Sequence, residues 1–419
     1  MKPLFLISCP FDTYSGYGAR SRDVIKSIIK TNKYRVKLIS QPWGNTRFDF
    51  CKENPEWEFL YEHVLNEQLV DKPEIWAQIT VPNEFKPMGK FNIGFTAGIE
   101  TTLVNGEWVE GMNRMDLNIV SSEHSKNAFL NSKFEKKNQQ GNVLGTIQVE
   151  KPIEVLFEGV NLDTYFPDNS PCMIDLNIKE SFAFLFVGHW LQGELGHDRK
   201  NVGLLIKAFF ETFKNKSKQP ALILKTSGSN SSYMDRNDIL RKINSIRNSC
   251  QGKLPNVYLL HGDFTDEEMN SLYNHSKVKA MVSLTKGEGF GRPLLEFTTT
   301  KKPLITTAWS GHMDFLNPEF TTLIGGNLEN VHSSAANNML IKDSQWFAPN
   351  HGEIGKSLKS VFENYKKYSE LGKRQAHYSK TNFDWDKMFT TLESILEINI
   401  PEFPSQIELT IPELNLPTL

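Results

Sequence analysis

Cysteine is scarce. The 419 residues hold four, at Cys9, Cys51, Cys172 and Cys250, with no CxxC pair among them. That excludes a disulfide framework, argues against a zinc ribbon, and fits a reducing cytoplasm. Long apolar runs are absent too. Nowhere do about 18 apolar residues follow one another, so no transmembrane helix is expected. Leu4-Phe5-Leu6-Ile7 runs into Cys9-Pro10 and is too short for the core of a signal peptide. The ten histidines form no HxxxH or HxH cluster, so no metal site is argued from them. Neither sign of charge dominates: 47 basic residues face 49 acidic ones, which gives no support to a chain built to coat nucleic acid. What is present is ordinary apolar content, 39%, enough for sizeable cores and against disorder as the dominant state.

The apolar residues come as short runs alternating with helical patterns. Leu4–Ser8, Tyr34–Ser40, Phe91–Ala97, Leu117–Ser121 and Ile153–Phe157 read as strands of a first series, with a helix over Ala19–Ile29. Phe182–Val187, Ala221–Lys225, Val257–Leu260, Lys279–Leu284 and Leu304–Thr307 make a second series, with helices over Gly203–Phe213 and Asp266–Tyr273 between them. Such alternation implies parallel sheets covered by helices. The break at Pro167-Asp168-Asn169-Ser170-Pro171 divides the chain into two doubly wound domains, 1–168 and 169–382. A helix over Trp385–Ile398, within 383–400, is expected to cross back to the first domain, and the proline-punctuated 401–419 to be an extended tail. The polar stretch Phe134–Glu150 reads as a long loop.

The strongest chemical signal follows the strand Lys279–Leu284: Gly287-Glu288-Gly289-Phe290-Gly291-Arg292-Pro293-Leu294-Leu295-Glu296. Gly289 and Gly291 let backbone approach a ligand closely, and Pro293 suits the first turn of a helix. Free amides at that helix start form an anion site suited to a diphosphate. Glu288 precedes the helix and Glu296 is expected in its first turn; a carboxylate accepts two hydrogen bonds and so suits vicinal sugar hydroxyls. Arg199-Lys200-Asn201 places a guanidinium fork beside a point charge, and both suit phosphate oxygens.

This constellation resembles glycosyltransferase family 4 of the GT-B superfamily, whose hallmark is Glu-x7-Glu with Gly-Phe-Gly-x-Pro inside it. Val155-Leu156-Phe157-Glu158-Gly159-Val160-Asn161-Leu162-Asp163 resembles the family's segment before the interdomain linker, and Phe186-Val187-Gly188 its opening of the second domain. The resemblance implies two Rossmann-like domains facing across a cleft, with the donor nucleotide on the second. It implies transfer of a sugar from a nucleotide-diphosphate sugar to a hydroxyl acceptor with retention of configuration, without a cofactor or metal. By resemblance Lys200 and Arg199 neutralise the diphosphate, Glu288 faces the transferred sugar and Glu296 the ribose. Gly289, Phe290, Gly291 and Arg292 then line the donor. Gly16 and Gly18, in Ser15-Gly16-Tyr17-Gly18, match a glycine-rich loop that approaches donor phosphate or acceptor. Two departures stand out. His189 replaces an arginine and an insertion, Leu191–Asp198, precedes Arg199; and Gly94–Glu100 lacks the histidine that family members often carry there.

Rival readings are a catalytically silent sugar-nucleotide or glycan binder and a sugar-nucleotide epimerase of the same fold. A dinucleotide enzyme is disfavoured, because Cys9–Ser15 separates the glycines from the strand and the second strand ends Ser40-Gln41 with no acidic residue. Asp384-Trp385-Asp386 matches a metal-binding DxD, but Asp384 reads better as a helix N-cap. His124 reads as structural. Residues 1–50 carry nine basic and three acidic residues, which keeps an anionic acceptor or a membrane surface in view. The acceptor itself is open among glycans, lipid-linked glycans, small metabolites, proteins and hydroxylated bases of DNA, the last unsupported by net charge.

Overall fold

The computed structural model describes residues 2–403 apart from 138–139, 169, 171 and 229–231. Two of the five residues expected to form the linker, and the expected tail from 404 onward, therefore lie outside the described residues. The first sheet takes β1 (Leu4–Cys9), β2 (Arg35–Ser40), β3 (Ile75–Ile79), β4 (Phe91–Thr96) and β5 (Leu117–Val120). An antiparallel hairpin of β6 (Phe134–Lys137) and β7 (Val143–Ile147) follows, and then the sixth strand, β8 (Ile153–Val155). All six are parallel, in the order β2-β1-β3-β4-β5-β8. Alternation along β1 feeds two cores: Phe5, Ile7 and Cys9 enter one, Leu6 the other. Burial on both faces explains why Leu4–Ile7 is a continuous apolar run.

The second sheet repeats the plan with β9 (Ala183–Val187), β10 (Ala221–Lys225), β11 (Val257–Leu260), β12 (Val278–Ser283), β13 (Leu304–Thr307) and β14 (Thr322–Ile324), all parallel, in the order β11-β10-β9-β12-β13-β14. Phe184 and Phe186 of β9 enter one core and Ala183 and Leu185 the other. A hairpin of β15 (Gly326–Asn330) and β16 (Gln345–Pro349) is appended. The molecule thus holds two Rossmann-like parallel α/β units.

The helices of the first unit are α1 (Gly16–Thr31), the single turn α2 (Phe50–Glu53), α3 (Gly106–Asn113) and α4 (Glu123–Asn131). Those of the second are α5 (Val202–Phe213), α6 (Tyr233–Asn248), α7 (Asp266–Asn274), α8 (Arg292–Thr298), α9 (His351–Glu363) and α10 (Tyr365–Asn382). The last helix, α11 (Trp385–Asn399), follows α10 in sequence but packs on the first unit. Its Met388, Phe389 and Leu392 share a core with Ile25 and Ile28 of α1. Asp384 caps it, accepting from the Lys387 N–H at 2.8 Å, and Asp386 pairs with Lys30 at 2.8 Å. The chain passes between the units twice, side by side. The Val160 N–H donates to the Phe383 carbonyl at 2.9 Å, and the Trp385 N–H to the Val160 carbonyl at 3.2 Å.

Part of the basic excess of residues 1–50 is engaged by partners within the molecule. Arg20 and Arg22 are buried and donate to backbone carbonyls, Arg20 to Phe157 at 2.9 Å and Arg22 to Phe11 at 2.7 Å. Lys26 lies over the Trp385 ring, and Lys33 pairs with Glu393 and Glu397 of α11. No helix among the described residues is long and apolar enough to cross a membrane.

Strands β3, β14, β15 and β16 were not expected from the sequence, and one expected loop is a hairpin. Phe134–Glu150 is not a loop throughout but carries the β6–β7 hairpin. Val143 and Leu144 are exposed while Phe134 and Ile147 pack partly buried against a core, so the hairpin shows no sustained two-residue alternation. The apolar run of β3, Ile75–Ala77, is only three residues long before the buried Gln78. Gln78 is satisfied by backbone alone, donating to the Glu84 carbonyl at 3.1 Å and accepting from the Lys86 N–H at 2.9 Å.

Candidate functional site

The site gathers loops at the carboxyl ends of β9, β12 and β13. The loop from β9 to α5 is fastened at its end. Asp198 accepts from the Val202 N–H at 3.0 Å, and Asn201, held at φ +54°, donates its side-chain amide to the Leu284 carbonyl at 3.0 Å. The Lys286 N–H donates to the Arg199 carbonyl at 2.8 Å, tying this turn to the loop after β12. Lys200 Nζ consequently meets Glu288 Oε1 in an ion pair, while Arg199 Nη1 stands 3.7 Å from Glu288 Oε2. Arg199 also reaches the first unit, at 2.9 Å from Glu100 Oε1.

Glu288 is held by its backbone as well. Its N–H donates to Ser310 Oγ at 2.9 Å and its carbonyl accepts from the Gly311 N–H at 3.0 Å. Ser310 sits at φ +84°, a costly conformation for a residue with a side chain, which these two bonds help to impose. Beside it His312 is fully buried. Its Nε2 lies 2.7 Å from the Thr307 carbonyl and so carries the proton, and burial keeps the ring's pKa below its ordinary value. Burial pushes the Glu288 carboxyl up, but Lys200 and Arg199 together outweigh it and hold the group below the usual carboxylate range.

The glycines serve a close approach. A Cβ on Gly289 would lie 2.4 Å from the Ala97 carbonyl oxygen of the first unit, so only glycine fits. The Gly289 carbonyl accepts from Ser122 and, at 3.2 Å, from Ser121. Gly291 takes φ +100° as the cap of α8, with Pro293 in the first turn behind it. Phe290 turns its ring into the second unit's core, 4.9 Å from that of Phe315, so what it offers the site is backbone.

Glu296 is one turn further into α8 than expected, because the helix begins at Arg292. It lies too deep to complement the helix dipole, which acts within the first turn. Its Oε1 is 3.1 Å from Arg292 Nε, and the Tyr273 hydroxyl donates to Oε2 at 3.4 Å. Burial pushes its pKa up to about 8, with Asp266 adding to the rise and Arg292 opposing it. Arg292 Nη1 then reaches Asp23 of α1 at 2.6 Å.

The structure therefore brings Glu288, Lys200, Arg199 and Gly289 into one cluster and links Arg292 and Glu296 in a second. Gly16 and Gly18 join neither directly. Gly16 faces open space, and Gly18 packs on the Thr13 carbonyl, inside the first unit. Tyr17 between them reaches the site's edge, accepting from the Ala97 N–H at 3.1 Å. The insertion Leu191–Asp198 docks on the segment after β15. Gln192 donates to the Ser334 carbonyl at 3.0 Å and His197 stacks on His332 at 3.9 Å. A cavity of about 270 Å3 under it, lined by Trp190, Leu195, Lys242 and Ile246, does not include Glu288. Among the described residues no group of three or more His, Cys, Asp or Glu side chains converges as a metal site.

Sequence reasoning missed Asp23, Glu100, Ser121, Ser122, Ser310 and His312. None of them stands in a pattern with a spacing signature. His124 packs edge-on against Trp309 across the interface, with ring centroids 4.6 Å apart.

Residues 192–345 match the family model of the glycosyl transferases group 1. No curated protein matches the chain by sequence. Among solved structures, a glycosyltransferase from Rickettsia africae is similar at TM-score 0.60 and 14% identity, over 95% of this chain and 98% of that one. Sucrose-phosphate synthase from Thermosynechococcus elongatus is similar at TM-score 0.60 and 13% identity, over 95% and 99%. HepE of Anabaena, solved with UDP-glucose, is similar at TM-score 0.54 and 14% identity, over 94% and 100%. At such identities the likeness is one of fold. The chain has the two-unit fold of the GT-B glycosyltransferases, with a glycosyl transferases group 1 segment in its second unit.

Proposed function

We propose that this chain is a retaining glycosyltransferase of the family 4 type, moving a sugar from a nucleotide-diphosphate sugar to a hydroxyl acceptor. The observation that carries the reading is the convergence of Arg199 and Lys200 on Glu288 beside the Gly289 backbone, at the carboxyl ends of a parallel sheet. Two cations in a buried setting are suited to a departing diphosphate, whose charge grows as the glycosidic bond breaks. Burial pulls the Lys200 ammonium below its ordinary pKa and Glu288 offsets part of that. The ion pair with Glu288 holds the group in position, so an arriving diphosphate would meet a cation already in place. Glu288 would then face the transferred sugar and Glu296 the ribose, with the acceptor entering over the first unit. The diphosphate is neutralised by side chains, and no metal is required for that task.

The similar HepE was solved with UDP-glucose, which makes that donor the first to try. The test is release of nucleoside diphosphate from UDP-, GDP- and ADP-sugars by the full chain, with and without glycan acceptors. Saturable binding without any release would favour a silent binder. Conversion of the sugar with its nucleotide still attached would favour an epimerase. No binding of any of them would sink the reading.

A further inference from the structure

Asp23 presents a problem of burial. It sits inside α1 with 1% of its surface exposed, and a carboxylate removed from water is costly unless it is paired. Its partner comes from the other unit. Arg292 Nη1 lies 2.6 Å from Asp23 Oδ2, and the Nε edge of the same guanidinium lies 3.1 Å from Glu296 Oε1. One planar fork is thus held on two edges by two carboxylates from two domains, an arrangement that lysine could not reproduce. The Tyr273 hydroxyl, 3.4 Å from Glu296 Oε2, is a weaker hold on that carboxylate.

We infer that Asp23 is a positioning residue of the donor site, acting through Arg292 to aim Glu296 when the two domains are closed on each other. The inference rests on the reading of Glu296 as the group that binds the donor's ribose. Arg292 divides its charge between two carboxylates, so it steadies Glu296 without claiming both its oxygens. With Asp23 neutral, the guanidinium would turn fully onto Glu296 and compete with sugar hydroxyls for the same lone pairs. The groups facing Glu296 are Arg292 on its own helix, Tyr273 and Asp266 on α7, and Tyr165 from the segment after β8; Asp23, Glu158 and Arg20 face Arg292 in turn.

The test is calorimetric titration of the full chain with whichever of UDP, GDP and ADP binds the wild type most tightly, on both sides of about pH 8, toward which burial pushes the Glu296 carboxyl. Asp23→Asn is expected to weaken binding about tenfold and to move the midpoint of its pH dependence downward, because Arg292 then favours ionised Glu296 without competition. Asp23→Glu should restore most of both. In an Arg292→Met background, Asp23→Asn should change nothing further, since the path from Asp23 to Glu296 is already cut. The inference is overturned if Asp23→Asn leaves affinity and pH midpoint as they were. Full persistence of its effect in the Arg292→Met background overturns it equally. If Asp23→Asn does not fold, Asp23→Ser, smaller and equally uncharged, takes its place, and an unmoved affinity and pH midpoint would sink the idea. A wild type that binds none of the three diphosphates would instead bring down the donor reading on which this rests.

Discussion

Glu288 and Glu296 stand eight positions apart on one loop and helix, both nearly sealed from water, and their surroundings treat them in opposite ways. Around Glu288 two cations from the β9–α5 turn outweigh burial, and the carboxylate is held ionised. Around Glu296 a single guanidinium, shared with Asp23, does not, and the carboxyl is pushed toward its neutral form. Two identical side chains in one motif thus carry different chemistry because of what faces them. Environments that drive two carboxyl groups apart are how such groups come to divide labour.

The sharpest way to break the contrast is Lys200→Ala. It leaves Glu288 buried with Arg199 alone, which is expected to lower stability by about 3 kcal/mol, toward the cost of an uncompensated buried charge. Binding of nucleoside diphosphate should fall most of all the variants, read by calorimetry; unchanged affinity would show that the phosphate lies elsewhere. Next come the two glutamates themselves. Glu288→Gln should lower kcat about a hundredfold with little change in donor KM, as expected when an interaction made mainly in the transition state is lost. Glu296→Gln should raise donor KM about tenfold and spare kcat, because the ribose is the same before and during reaction. Donor-saturation kinetics on both variants decides, and a reversed pattern would exchange the two roles.

A smaller effect follows from protonation. The folded-state pKa of Glu296 stands above its ordinary value, at about 8, so the folded protein holds this proton more tightly than the unfolded chain. Its contribution to stability is present in full below the ordinary carboxylate range and is lost as pH rises toward 8. Glu296→Gln should flatten that part of a denaturation-against-pH profile; an unchanged slope would mean the proton is not held there. Asp384→Ala removes the N-cap of α11, which packs on the first unit, and should cost about 1 kcal/mol in denaturant unfolding while kinetics stay as they were. The smallest effect expected is that of excess chelator on turnover. Full loss restored by Mg2+ or Mn2+ would contradict a diphosphate neutralised by Arg199 and Lys200 alone.

Much of the fold was legible because parallel strands buried on both faces are continuous apolar runs. β1, β9 and β10 hold such runs, and Leu304–Thr307 coincides with β13. What stayed hidden were β3, β14 and the hairpins β6–β7 and β15–β16, in none of which four apolar residues follow one another. The candidate site was legible on the second unit, where glycines, proline and charges lie within ten residues of one another. It was illegible on the first, whose contribution is assembled from distant single residues. Asp23, Glu100 and Ser122 meet Arg292, Arg199 and Gly289 through tertiary packing alone, and none stands in a local pattern.

The return of α11 has a mechanical consequence. A protease that cut the connection between β8 and β9 would sever the covalent link between the two sheets but not their association. The carboxyl-terminal fragment would keep Met388, Phe389 and Leu392 lodged in the core of the amino-terminal one. The two pieces should therefore copurify after nicking and recombine when expressed as separate polypeptides, the final helix acting as a tether that survives the loss of the chain's own continuity.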